Sequence, residues 1–119
     1  MKVRKLSLTD AKFERSPGQD GDILTGDLVD ERHGGPVTIG YGRWGANETL
    51  SETMAVHDVM IVLEGHLSVS SDTGTVDAGP SDIVYMPEGE KVTIRAHAQG
   101  AVTAYVTHPH WRGAAMKDE

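Results

Sequence analysis

Residues 57–69, HDVMIVLEGHLSV, constrain the fold of this chain more than any other stretch. Val59 to Leu63 is a run of β-branched and other large apolar residues, too short for a helix and closed by a glycine, as in a strand covered on both faces. Leu67 and Val69 resume the apolar pattern after Gly65, so the stretch reads as two strands folded back through a tight turn at Glu64-Gly65. Residues 82–89, DIVYMPEG, repeat the logic with an acidic turn residue, a short apolar strand and a Pro-x-Gly reversal.

VLEGHL followed by DIVYMPEG resembles the two sequence boxes of the cupin superfamily, a resemblance that runs from Val37 to Trp111. It implies an all-β fold: one single-domain jelly-roll barrel, a double-stranded β-helix, with a short N-terminal arm. Trp44, the segment TMAVHD at 53–58, Ala104-Tyr105-Val106, Pro109 and Trp111 are similar to the EutQ-type branch of ethanolamine-utilisation cupins.

The rest of the chain is consistent with such a barrel. Its 119 residues make one domain, with 14 glycines and almost no helical periodicity, which suits short strands joined by turns. We read residues 1–22 as arm and loop, 23–112 as barrel and 113–119 as a frayed tail. Strands are expected at Ile23 to Val29, Val37 to Trp44, Glu48 to Ala55, Thr75 to Asp77, Lys91 to Arg95 and Ala101 to Thr107. His66 and His97 read as surface turn residues, and His108-Pro109-His110-Trp111 as a segment that closes one end.

A net charge of -7 and the lack of any basic stripe argue against nucleic acid or an anionic membrane as partner. The chain has no cysteine, hence no disulfide, thiolate nucleophile or Cys-based metal site. The basic start Met1 to Lys5 is followed by residues too polar for a signal-peptide core, and no apolar run approaches spanning length, so a cytoplasmic location is expected.

Metal-dependent cupins bind an ion through an H-x-H pair and a Glu from the first box and a His from the second. The resemblance places that Glu at Asp58, the pair at Glu52 and Met54 (or Ser51 and Thr53) and the last His at Val92. None of the three histidine positions holds a histidine, so no cofactor and no metal site are expected. A relocated divalent site would have to recruit His57 with Asp58 or Glu52, yet adjacent residues on a strand point to opposite faces.

A pocket inside the barrel is the stronger expectation. Asp58 and Glu52 are its candidate catalytic pair, because two sheltered carboxylates repel and one then titrates upward, the setting for general acid/base work. Tyr41 and Arg43 by alternation, Met54, His57 and Val92 by motif position, and Tyr85 and Tyr105 on later strands are the candidate pocket residues.

The resemblance implies a role in ethanolamine or related two-carbon metabolism, a microcompartment association and an acetate-kinase-type activity. No phosphate-cradling G-x-x-x-x-G-K-[ST] loop is present, and Arg43, Lys91 and Arg95 are the only nearby cations. The residues therefore favour a barrel that binds a small polar or cationic metabolite, with catalysis left open. The alternatives are a metalloenzyme with relocated His, Asp and Glu ligands, or a non-catalytic assembly or regulatory module. The apolar central stretch, two-faced in Val59, Ile61 and Leu63 against Met60 and Val62, also suggests a homodimer.

Overall fold

The computed structural model describes residues 3–112. It contains eight strands: β1 (Glu14–Arg15), β2 (Ile23–Val29), β3 (Thr38–Trp44), β4 (Thr49–Thr53), β5 (His57–Ser71), β6 (Gly74–Ala78), β7 (Ile83–Met86) and β8 (Lys91–His108). All pairings are antiparallel, in the order β1-β2-β3-β8-β5-β6, with β4 beside β8 and β7 beside β5. Two 3-10 turns, Leu8–Asp10 and Glu31–His33, lie in the connections, residues 111–112 are helical, and no helix among the described residues is long and apolar enough to cross a membrane.

The expected hairpin at Glu64-Gly65 is instead a single bent strand. β5 runs through Gly65 without reversing and keeps β8 as its neighbour from His57 opposite His108 to Ser70 opposite Thr93. Gly65 (φ 75°) and Gly100 (φ 71°) face each other where the register shifts, so both strands bend together from one sheet into the other. The approach admits no side chain: a Cβ on Gly65 would lie 2.0 Å from the Gly100 carbonyl oxygen, and one on Gly100 would lie 2.4 Å from that of Trp44. For the same reason the two strands expected at Lys91 to Arg95 and Ala101 to Thr107 form one element.

On one side of the bend lie β2, β3, β7 and the adjoining halves of β5 and β8; on the other lie β4, β6 and the remaining halves. Met60, Val62, Leu67 and Val69 of β5 pack inward with Val84, Met86, Val92, Ile94, Ala96 and Trp44. β3 turns Thr38, Gly40, Gly42 and Trp44 inward and Ile39, Tyr41 and Arg43 outward. Its glycines make room for β8, since a Cβ on Gly40 would meet the Tyr105 hydroxyl at 2.6 Å and one on Gly42 the Thr103 Oγ1 at 2.7 Å.

The two outer surfaces differ in chemistry. Across the first sheet the register aligns Ile39, Val106, Val59 and Tyr85, then Tyr41, Ala104, Ile61 and Ile83, with no charge in either row. Across the second it aligns Thr49, Arg95, Ser68 and Asp77, then Ser51, Thr93, Ser70 and Thr75. Hydroxyl pairs Ser51–Thr93 and Ser70–Thr75, each 2.8 Å, tie that polar face together. His66 and His97 belong to it as strand residues rather than turns, stacked at 6.0 Å, with His97 Nε2 2.7 Å from Ser68 Oγ.

The bend yields a stability prediction. Gly65→Ala should cost about 3 kcal/mol or more in urea unfolding, because backbone must move to admit the methyl group. Gly34→Ala, at φ 81° with nothing within 4 Å of the added carbon, should cost only about 1 kcal/mol.

Candidate functional site

Between the two sheets lies a cavity of about 390 Å³. Apolar side chains make most of its wall, among them Met54, Met60, Met86, Ile94, Trp44 and Trp111. Three of its lining residues carry a buried oxygen that has no hydrogen-bond partner among the described residues: Asp58 Oδ1, Thr107 Oγ1 and Thr25 Oγ1. Each is unusual, because a buried polar atom left unpaired costs on the order of 1–3 kcal/mol.

Strand register explains the placement of Asp58. On β5, Asp58 shares the inward face with Met60 and Val62, and the pairing sets it between Thr107 on β8 and Met86 on β7. Burial, and secondarily the nearby Glu52 carboxylate, pushes the Asp58 carboxyl up to about 7 from an ordinary 3.8. Glu52, on β4 at the solvent-accessible rim of the cavity, is also raised, by partial burial. Among the described residues no Lys, Arg or His lines the cavity.

One end is closed by a clasp around Asp27. Tyr105, whose ring forms part of the wall, donates its hydroxyl to Asp27 Oδ1 in a short hydrogen bond. Trp111 Nε1 donates to the same oxygen at 3.0 Å, and Arg112 Nε donates to Oδ2 at 3.3 Å. Burial and then the Asp27 contact hold the Tyr105 hydroxyl far above its usual range. His110 secures the segment from the other side: its Nε2 donates to the Gly35 carbonyl at 2.9 Å, leaving Nδ1 to accept from the Thr38 hydroxyl at 2.8 Å.

Of the residues singled out from sequence, Asp58, Glu52, Met54 and Tyr105 line the cavity. The others do not. Val92 is buried in the apolar core outside the cavity wall. Tyr41 and Arg43 face outward, because the glycine-bearing side of β3 is the one that packs inside; Tyr41 bonds the Leu6 carbonyl at 3.3 Å and Arg43 stacks over Phe13 at 5.1 Å. His57 and Tyr85 also lie on the outer face, where His57 Nδ1 accepts from the Tyr85 hydroxyl and the Glu88 amide, both at 3.2 Å. The expected tail, 113–119, lies outside the described residues.

Sequence reasoning missed Thr25, Thr107 and Trp44 as lining residues. Alternation from Tyr105 along β8 would have marked Thr103 and Thr107, whereas no local signal marks Thr25. The metal positions implied by the resemblance carry two carboxylates, a thioether and a hydrocarbon, a set that does not fit a first-row transition ion. A relocated centre is not assembled either: His57 is on the opposite face of β5 from Asp58, and among the described residues no three His, Cys, Asp or Glu come together.

Comparison with known proteins adds family and fold. A family model described as ethanolamine utilisation protein EutQ matches residues 2–113. Acetate kinase EutQ of Salmonella typhimurium strain LT2 is 28% identical over 91 residues; these are 76% of this chain and 39% of the relative, so the chain spans well under half of that protein. A crystal structure of unknown function from Rhizobium leguminosarum bv. viciae 3841 is 58% identical with TM-score 0.78, covering 92% of this chain and 100% of the other. One described as an ethanolamine utilization protein Q from Salmonella typhimurium LT2 has TM-score 0.81 at 26% identity, covering 91% and 87%. The barrel is the cupin jelly roll.

The Asp58 environment predicts a pH dependence. Its pKa is raised on folding, so between about 4 and 7 the folded protein holds a proton that the unfolded chain has lost, and stability falls as pH rises through that window. The full penalty, on the order of 4 kcal/mol at most, applies above pH 7. Asp58→Asn should therefore match the wild type in Tm near pH 4 and exceed it by several degrees at pH 8.

Proposed function

This chain belongs to the family of the ethanolamine utilisation protein EutQ, and from that membership and its cavity we propose that the barrel binds a small polar metabolite bearing an amine. The observation that carries the reading is Asp58 Oδ1, buried on a residue of the cavity wall and without a hydrogen-bond partner among the described residues. An ammonium group donating to it would supply the missing partner and the missing opposite charge at once. It would also draw the Asp58 pKa down, so that binding releases a proton at neutral pH.

The charge of the wall favours a cation over an anion. Phosphoryl or carboxylate substrates need Lys, Arg or a metal to hold developing negative charge, and among the described residues this cavity offers two carboxylates and no cationic side chain. The reading therefore takes the link to ethanolamine utilisation without the kinase activity of the longer relative, and it invokes no bound metal. Where it is protonated, as burial favours, the same carboxyl can hand its proton to an amine that arrives neutral.

A thermal-shift panel of ethanolamine, longer alkylamines, acetate, acetyl phosphate and sugars tests this. At a hundredfold excess over Kd an amine should stabilise by about 2.7 kcal/mol, a rise of several degrees in Tm, and Asp58→Asn should abolish it. Stabilisation by anions and by no amine would overturn the reading.

We also infer that the protein is a homodimer joined through the outer face of the first sheet. Ile83 and Tyr85 stand there 66% and 60% exposed, in rows without charge on a chain of net charge -7, so two copies can meet without opposing carboxylates. Arg43 and Glu64 flank the next row on either side of Val102. A twofold axis parallel to the strands would set Arg43 against Glu64 of the partner subunit. Light scattering should give twice the chain mass for the wild type and a folded monomer for Ile83→Glu; a monomeric wild type would refute the inference.

A further inference from the structure

We propose that the cavity is built for an elongated ligand with a polar group at each end, not for a two-carbon amine. This inference rests on the amine reading above and concerns the rest of the same molecule. The three unpaired oxygens are not clustered. Asp58 and Thr107 are direct cross-strand partners and form one polar station. Thr25 lies on another row, aligned through Gly42 of β3 with Thr103 of β8.

Thr103 and Thr107 are four positions apart on β8, which at the rise of an extended strand separates the two rows by roughly 13 Å. This is the along-strand component alone, and the stations also lie on different strands, so after a hydrogen bond at each end at least roughly 7 Å of ligand remains between its terminal atoms, a chain of about five bonds or more. Ethanolamine is too short to touch both stations. Between them the wall is apolar or fully committed: Met60 and Tyr105 occupy the intervening row, and the Tyr105 hydroxyl is taken by Asp27. A volume of about 390 Å³ also lies within the roughly 300–1,000 Å³ typical of pockets that enclose drug-sized ligands.

The ligand class that fits is an α,ω-amino alcohol, or a molecule of equivalent shape, with its ammonium on Asp58 and Thr107, a methylene body between Met60 and Tyr105, and its hydroxyl on Thr25. A threonine hydroxyl can donate or accept, so an amide or ether oxygen would serve at the far end, whereas Asp58 selects a donor. Thr25 is thus a specificity residue that reads ligand length.

Isothermal titration with amino alcohols of two to ten carbons, and with simple alkylamines of the same lengths, tests the inference. Affinity for the amino alcohols should rise at least tenfold from two carbons to an optimum at four or more, the length at which both ends first reach their stations, and then level or fall. Thr25→Val should cost the best amino alcohol about tenfold and leave the matching alkylamine unchanged, while Asp58→Asn should weaken every member. If ethanolamine binds as tightly as any longer homologue, or if Thr25→Val fails to distinguish amino alcohol from alkylamine, the two-station assignment is overturned and the amine reading stands. If no amine in either series binds, both fall.

Discussion

The close backbone approach of Gly65 to Gly100 sets the rest of the barrel in register. Two long strands lie side by side along their length and bend at the same level, so one pair of elements serves both sheets. A side chain on Gly65 would force β5 from β8 at the bend and one on Gly100 would force β8 from the end of β3, so the inward faces on the two sides would no longer close on a common interior. The cavity exists because these strands stay paired while they turn.

Within that frame the barrel wall concentrates an electrostatic cost at one point. Asp58 is enclosed among thioethers and hydrocarbons, opposite a threonine hydroxyl that is itself unpaired, with the nearest opposing influence a second carboxylate. A core selected for stability alone would hold a leucine there. Retaining a group that is destabilising when empty makes sense if occupancy removes the penalty, and so the Asp58 environment, more than fold resemblance, carries the functional reading.

Much of the architecture was legible because alternation and turn chemistry are local. The strand from Ile23 to Val29 and the box at 82–89 follow from side-chain period and flanking glycines, whereas the apolar stretch of β5 is two-faced in sequence and only the fold turns Met60 and Val62 inward. The central hairpin did not, because a glycine with positive φ serves a reversal and a bend equally well, and Gly100, remote in sequence, decides between them. The site was half legible. Motif position led to Glu52, Met54 and Asp58, but the face of β3 was misjudged: Gly40 and Gly42 look like an absence of packing, when they are the space that Tyr105 and Thr103 fill. Thr25 has no local signature at all, since its role depends on a row that spans three strands.

The clasp around Asp27 ties together parts of the chain that are far apart in sequence. One carboxylate from β2 receives the hydroxyl of a wall residue on β8 and two donors from the turn that follows. Enclosure of the cavity at this end therefore depends on β2 and β8 together, because Asp27 on one strand holds Tyr105 on the other as well as Trp111 and Arg112 beyond it, and joining segments so distant along the chain carries a large loop-closure cost in entropy.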